Sequence, residues 1–278
     1  MALSSKLYAS GYWPVRGNQK RSGSHYTTLL PQTLRLIQGE QLVFYSSSEE
    51  ILSLVEQLCR QHGIVLQAEL RSLHSLPAWS LAERLMQGCR AMQLDLLEKP
   101  AAFGAEKAVI HYWRDYKGAG AEVLRQMLTV WLSKIDLITA LASEVDHDHL
   151  VWIDATIARF NGRRSNWRFW LSADHPDRFC HYGSEMRRYG RHLPLNASYL
   201  SGPRLRWSAL QKLFNVMAER AALMPYGHDE ETILAECVQH SPDWFQRIGI
   251  PYTRLAGRPL LQAQLKNRLL ACHPRACR

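Results

Sequence analysis

The sequence has six cysteines (Cys59, Cys89, Cys180, Cys237, Cys272 and Cys277) but no CxxC pair, so the spacing of a thiolate metal site is missing. A chain of 278 residues is long enough to bury a core without crosslinks, and the scattered thiols read as free, in a reducing compartment. No apolar run approaches the roughly 20 residues that cross a bilayer. The opening MALSSKLYASGYWPV lacks a charged segment followed by an apolar one, which argues against a secretory signal. Internal repeats and low-complexity linkers are also absent from the sequence. These absences favour one continuous domain over residues 1–278, cytoplasmic, with a peripheral contact at a membrane surface as the one departure from that.

What the chain does have is positive charge: 34 Lys and Arg against 25 Asp and Glu, a net +9. The excess permits an anionic partner such as a nucleic acid, a sugar nucleotide or an acidic membrane, without choosing among them. With 46% hydrophobic and 21% charged residues the composition is that of a folded protein, not a disordered one.

Strand-type runs alternate with helical patterns. KLYASGYWPV (6–15), QLVFY (41–45), IVLQAEL (64–70) and LVWI (150–153) read as strands. Helical spacing covers Tyr26–Ile37 with Pro31 in the first turn, and Ile51–Gln61 after the capping run SSSEE. It covers residues 78–98 and also 122–143, the latter as one helix or two end to end. This rhythm predicts an α/β fold, a Rossmann-type, mostly parallel sheet flanked by helices. LPLNASYLSG (193–202) reads as a strand and a small-residue turn. Helices over Trp207–Leu223 and 228–238, and a basic amphipathic one in the last 20 or so residues, make an irregular C-terminal helical part.

Asp154 ends the buried run Leu150–Ile153, where open α/β folds place their chemistry. A strand ending in a turn-forming Asp explains it equally well at first sight. Lys134 lies on the helix entering that strand, though a lysine on an amphipathic helix is more often a solvated charge. Asp229, Glu230 and Glu231 open a helix, where acids complement the helix dipole without any further role. The turn Asn196–Gly202 lets backbone approach a ligand, but is more often simply a turn. DHDH (146–149) precedes the strand at the end opposite Asp154 and reads as a solvated turn. The segment from Arg159 to Trp170 is basic and aromatic and suits a nucleic-acid platform. No recognition-helix, zinc-finger or RNP pattern accompanies it, and arginine forks suit a diphosphate as well.

The order of SGYWPVRGNQKRSGSHY, QLVFYSS, WLSKIDLITAL before VWIDATIARF, LNASYLSGP, and YGHDEETILAECVQHSPDWF resembles bacterial glycosyltransferase-like proteins of the HtrL/YibB type. The resemblance spans roughly residues 6–248, with the Asp154 and Asp229–Phe245 segments its specific parts. It implies a GT-A-like fold whose nucleotide-sugar-binding half is roughly 1–160 and whose acceptor half is 161–278. It implies a transferase moving sugar from a nucleotide-sugar donor to a glycan or lipid-linked hydroxyl acceptor, in cell-surface polysaccharide or lipopolysaccharide synthesis at the cytoplasmic side of the inner membrane. Asp154 then takes the place of the first acid of a DxD-type element that binds a divalent cation, Mn or Mg. Thr156 stands where the second acid would be. Either His228 or His181 completes the metal site, or Lys134 and Arg159 stabilise the diphosphate directly. Asp229 or Glu230 would be the general base. Ser10, Gly11 and Tyr12 would meet the nucleotide, and Asn196 and Gly202 would line the donor sugar or acceptor. No nucleic-acid partner is expected on this reading. The competing classes are a metal-dependent phosphate-ester hydrolase using the same acids and a non-enzymatic nucleic-acid binder.

Overall fold

The computed structural model describes residues 6–18, 20, 23–161, 175–225 and 228–249, with 258, 261, 262 and 265 beyond them. The chain opens with β1 (Lys6–Tyr12), α1 (Gly23–Arg35), β2 (Gln41–Ser46), α2 (Glu49–Gln61), β3 (Val65–Leu70) and α3 (Trp79–Arg90). A short α4 (Lys107–Ile110) runs into a π-helical stretch over His111–Gly118, and α5 (Ala121–Glu144) follows. β4 (His149–Ile153), β5 (Phe179–Tyr182) and the small pair β6 (Arg187–Arg188) and β7 (Arg191–His192) come next. β8 (Asn196–Pro203), α6 (Trp207–Ala222), α7 (Glu230–His240) and β9 (Phe245–Gly249) complete it.

Most of these elements follow from local chemistry. Ser48 caps α2 by accepting the Ile51 N–H, with Glu49 and Glu50 in the first turn, and Gly63 ends it at φ +63°. α5 is one helix, not two. α1 begins at Gly23, three residues before the expected start, so Pro31 lies inside the helix and not in its first turn. α3 is shorter than expected: it stops at Arg90, and Gln93 takes a left-handed conformation three residues later.

Seven strands form one sheet in the order β3-β2-β1-β4-β8-β5-β9. All are parallel except β8, which runs against both β4 and β5. The expected mostly parallel sheet flanked by helices is therefore present. Alternate residues face opposite sides, as the two-residue period of a strand requires. Leu7, Ala9, Leu150 and Trp152 pack under α3, α5, α6 and α7, while Tyr8, Tyr12, Val151 and Ile153 pack against α1 and α2. The chain runs outward from β1 through β2 to β3, then returns to place β4 on the other side of β1. That reversal parts the loops at the carboxyl ends of β1 and β4 and opens a crevice there. No helix among the described residues is long and apolar enough to cross a membrane.

The antiparallel direction of β8 corrects the reading of Asn196–Gly202. These residues are strand, not turn, and Ile153 pairs with Tyr199 while Leu150 pairs with Gly202. Asn196 and Ser198 thus lie at the crevice edge of the sheet, and Gly202 at the opposite edge. A Cβ on Gly202 would sit 2.2 Å from Cδ1 of the Phe179 ring, so this glycine makes room for a core aromatic and does not line a donor site. Ser10 is also corrected: it is buried inside the sheet and does not border the crevice. The basic segment beyond Asn161, as far as Trp170, lies outside the described residues, as does most of the expected C-terminal helix.

Gly202→Ala should destabilise the fold by about 1–3 kcal/mol, the usual cost of an extra core carbon that cannot be accommodated. Urea unfolding measures this, and a variant as stable as wild type would contradict the packing role.

Candidate active site

Two adjoining lobes of about 330 and 350 Å³ open over the crevice, and Lys20, Trp131, Asp154 and Arg159 line both. The first lobe draws only on residues up to Arg159. Its floor is aromatic: the Tyr12 and Tyr26 rings stack at 4.6 Å, and Trp13 folds back over Gly11. A Cβ on Gly11 would meet the Trp13 ring at 2.5 Å, so only glycine admits that fold, while the Trp13 indole N–H donates to the Arg71 carbonyl at 2.9 Å. Gly11 and Tyr12, both expected at the nucleotide, border this lobe.

Lys134 comes from α5 and is buried, not solvated. Its ammonium lies 2.7 Å from Asp154 Oδ1 and 2.8 Å from Glu230 Oε1, tying β4 to α7. Burial would lower this lysine, but the two carboxylates outweigh it and hold it above its ordinary value. Burial likewise would raise Asp154, and Lys134 and Arg159 hold it well below the usual carboxylate range. Arg159 is fixed by the Thr156 carbonyl at 3.0 Å, the Thr156 hydroxyl at 2.8 Å and the Ser198 hydroxyl, and stands 3.7 Å from Asp154 Oδ2. Thr156, two residues after Asp154, thus positions an arginine.

The second lobe carries the acids of α7. Asp229 is its N-cap: Oδ1 accepts the Thr232 N–H at 2.9 Å, and the Thr232 hydroxyl accepts the Asp229 N–H at 2.9 Å. Oδ2 takes Lys107 and, at 3.1 Å, His111 Nε2. Lys107 also reaches Glu231 at 2.7 Å. His111 Nδ1 meets Asp115 Oδ2 at 2.9 Å, and Arg114 clasps that same carboxylate with two nitrogens. Burial would raise Asp229 and Asp115, yet their cations pull Asp229 well below the ordinary value and Asp115 to about 2. Glu230 differs: burial and the charges of Asp229 and Asp154 outweigh Lys134 and leave it raised. Asp229 is therefore saturated, whereas Glu230 holds a proton more readily than usual.

Of the residues expected at the site, Gly11, Tyr12, Lys134, Asp154, Arg159, Asn196, Asp229 and Glu230 border one lobe or the other. His181 and His228, the candidate extra metal ligands, border neither. Burial pushes them down to about 4 and about 3. Among the described residues no group of three or more His, Cys, Asp or Glu is arranged to hold a metal. Asp154 Oδ2 has its guanidinium neighbour beyond hydrogen-bond length, so this carboxylate suits a cation that arrives with phosphate ligands more than a resident one.

Lys20, Lys107, His111, Arg114 and Trp131 were not foreseen from sequence. Lys107, His111 and Asp115 follow an i, i+4 spacing that was legible, and Trp131 precedes Lys134 by one turn. The π-helical register that carries His111 and Arg114 was not legible, and such stretches gather at functional sites.

No protein-family model matches the sequence, nor does any of the curated proteins compared with it. Among solved structures the chain is similar to core-mannan synthase A (CmsA/Ktr4) from Aspergillus fumigatus in a Mn/GDP form. The TM-score is 0.49 and identity 7%, over 97% of this chain and 86% of that one.

Lys107→Met strands two buried acids and should cost about 3–5 kcal/mol, read by urea unfolding at neutral pH. His111, raised in the folded state by Asp115 and Asp229 against the effect of burial, adds stability that is full below its unfolded value of about 6.5. That contribution is lost as pH rises through the higher folded value. The stability gap between wild type and His111→Gln should therefore narrow on the alkaline side, and a gap that widens there would reverse the assigned charge.

Proposed function

We propose that the chain is a nucleotide-sugar-dependent glycosyltransferase. The observation that carries this reading is the pairing of an aromatic, cation-bordered lobe with a carboxylate-bearing lobe across Asp154 at the switch point of a parallel sheet. The nucleoside fits the lobe floored by Tyr12, Trp13 and Tyr26. The diphosphate fits the boundary, where Lys134 and Arg159 supply positive charge and Lys20, lowered to about 7 by burial and the charges of Lys107 and Arg114, takes up a proton as phosphate binds. The sugar then enters the second lobe beside α7.

Glu230 is the general base of this reading: its raised affinity for a proton lets it take one from an acceptor hydroxyl, as an inverting transfer requires. Asp229 is a positioning residue that fixes the start of α7. Lys134 and Arg159 stabilise negative charge as the nucleoside diphosphate departs. A divalent cation, Mn or Mg, bound together with the donor would be held by Asp154 and would neutralise the same leaving group. The finer reading, again as a proposal, is an HtrL/YibB-type enzyme of bacterial cell-surface polysaccharide or lipopolysaccharide synthesis. It would be cytoplasmic, with peripheral contact at the anionic inner membrane and a glycan or lipid-linked acceptor.

Calorimetric titration with a panel of nucleoside diphosphates and nucleotide sugars, with and without manganese, tests the class. One nucleotide should bind wild type and fail to bind Asp154→Asn; no binding across the panel would remove the proposal. Manganese should bind only when that nucleotide is present. Once a donor is known, Glu230→Gln should lower kcat by about 10²–10⁴-fold with little change in donor affinity. The rate of wild type should rise with pH through a value above the ordinary carboxylate range.

A further inference from the structure

The hairpin formed by β6 and β7 grows out of the wall of the second lobe, since Ser184, Glu185 and Met186 border that lobe and Arg187 follows directly. Its sequence is RRYGRH, three arginines and a histidine around an aromatic tip. Tyr189 adopts φ +53°, a left-handed conformation unusual for a non-glycine residue; the residue is 57% exposed, with the Arg188 guanidinium 5.3 Å from its ring centroid. Strain of this kind persists only where the surroundings enforce it, and it gathers at functional sites.

The enforcement is visible. Both carboxylate oxygens of Glu106 accept backbone N–H groups at the tip, from Tyr189 and Gly190, each at 3.1 Å. The Arg187 N–H donates to the Ala105 carbonyl at 2.7 Å, and the Leu193 N–H closes the base on the Met186 carbonyl at 2.9 Å. Glu106 directly precedes Lys107, so the hairpin is tied to the ion network of the lobe. Arg188 is anchored to Glu236 of α7 at 2.7 Å. Arg187 and Arg191 are exposed, and neither has a carboxylate partner among the described residues. A rigid rim thus presents two uncompensated guanidinium groups beside an exposed aromatic ring.

We infer that this hairpin reads the acceptor, and that the acceptor is a glycan bearing an oxyanion, carboxylate or phosphate, which Arg187 and Arg191 pair with while Tyr189 supports a sugar ring. The inference deepens the transferase reading and rests on it for the word acceptor; the binding chemistry stands on the hairpin alone. A guanidinium fork matches either oxyanion, and an exposed arginine–tyrosine pair is the composition of a binding hot spot.

The test uses three immobilised glycans as probes: polygalacturonate, phosphomannan and neutral mannan. The full chain should bind one or both anionic glycans at least about tenfold more tightly than neutral mannan, and the double variant Arg187→Gln/Arg191→Gln should lose that preference. Whichever anionic glycan shows it identifies the oxyanion. A control double variant, Arg204→Gln/Lys212→Gln, removes equal charge elsewhere and should keep the preference. Tyr189→Gly relieves the left-handed strain, so its melting temperature should not fall while anionic-glycan binding weakens. Equal binding to neutral mannan, or equal loss in the control variant, would overturn the inference. Nucleotide titration on the Arg187→Gln/Arg191→Gln variant keeps the two readings apart. Retained nucleotide binding with lost glycan preference supports both. Absent nucleotide binding in wild type alongside hairpin-dependent glycan binding removes the transferase and leaves the glycan surface.

Discussion

The site depends on one buried ammonium. Lys134 lies between Asp154 and Glu230 at 2.7 and 2.8 Å, joining the long helix, the end of the central strand and the start of α7. An unpaired lysine buried to this degree would be costly, and so would two unpaired carboxylates there. Together they leave one net negative charge, which Arg159 offsets from its seat on Thr156 and Ser198. The arrangement also divides the proton affinities. Asp154, flanked by two cations, stays ionised, whereas Glu230, which shares Lys134 with Asp154 and lies beside Asp229, is raised. Two acids held in different environments can take different roles, one binding charge and the other moving a proton.

The second ion network makes that division possible. Lys107 and His111 satisfy Asp229 and hold it ionised, and Lys107 also ties one oxygen of Glu231. The fixed charge of Asp229 lies next to Glu230 and contributes to its raised proton affinity. The network hangs on α4 and the π-helical stretch after it, which buries Ile110 and Tyr112 and packs against α5 and α3. Charge pairing in a low-dielectric setting, where a missing partner is expensive, adds to that packing. Glu106, one residue before Lys107, extends the same scaffold to the β6–β7 hairpin.

The sheet and most helices were legible because their residues repeat with the right period and end on the right caps. Leu150–Ile153 delivering Asp154 is the clearest example, and SSSEE before α2 is another. Lys134 and Glu230 could be named as candidates, but not as partners, because 96 residues separate them and pairing is set by the sheet order. Asn196 and Gly202 were read together as a turn because small residues suit both turns and tight packing. What separates their roles is the direction of β8, which a sequence does not display. Gly202 serves Phe179, a residue 23 positions away on the neighbouring strand. The wall built from residues 104–118 was missed because a π-helical register has no simple hydrophobic period.

The same geometry bears on the competing readings. A two-metal hydrolase needs a cluster of several carboxylate or imidazole donors turned toward a common point. Here Asp154, Asp229 and Glu230 are each engaged by Lys107, His111 or Lys134, and among the described residues no group of three or more His, Cys, Asp or Glu is arranged to hold a metal. A nucleic-acid platform needs its arginines turned outward along a track. Arg159, the first residue of that segment, instead points inward to Thr156 and Ser198 and borders both lobes. A transferase asks for something else: a place for a nucleoside, a patch of positive charge for its phosphates, and one adjustable acid past the point where they join. Tyr12, Tyr26 and Trp13, then Lys20, Lys134 and Arg159, then Glu230 occur in that spatial order along one cleft, and it is their sequence in space that favours transfer over the alternatives.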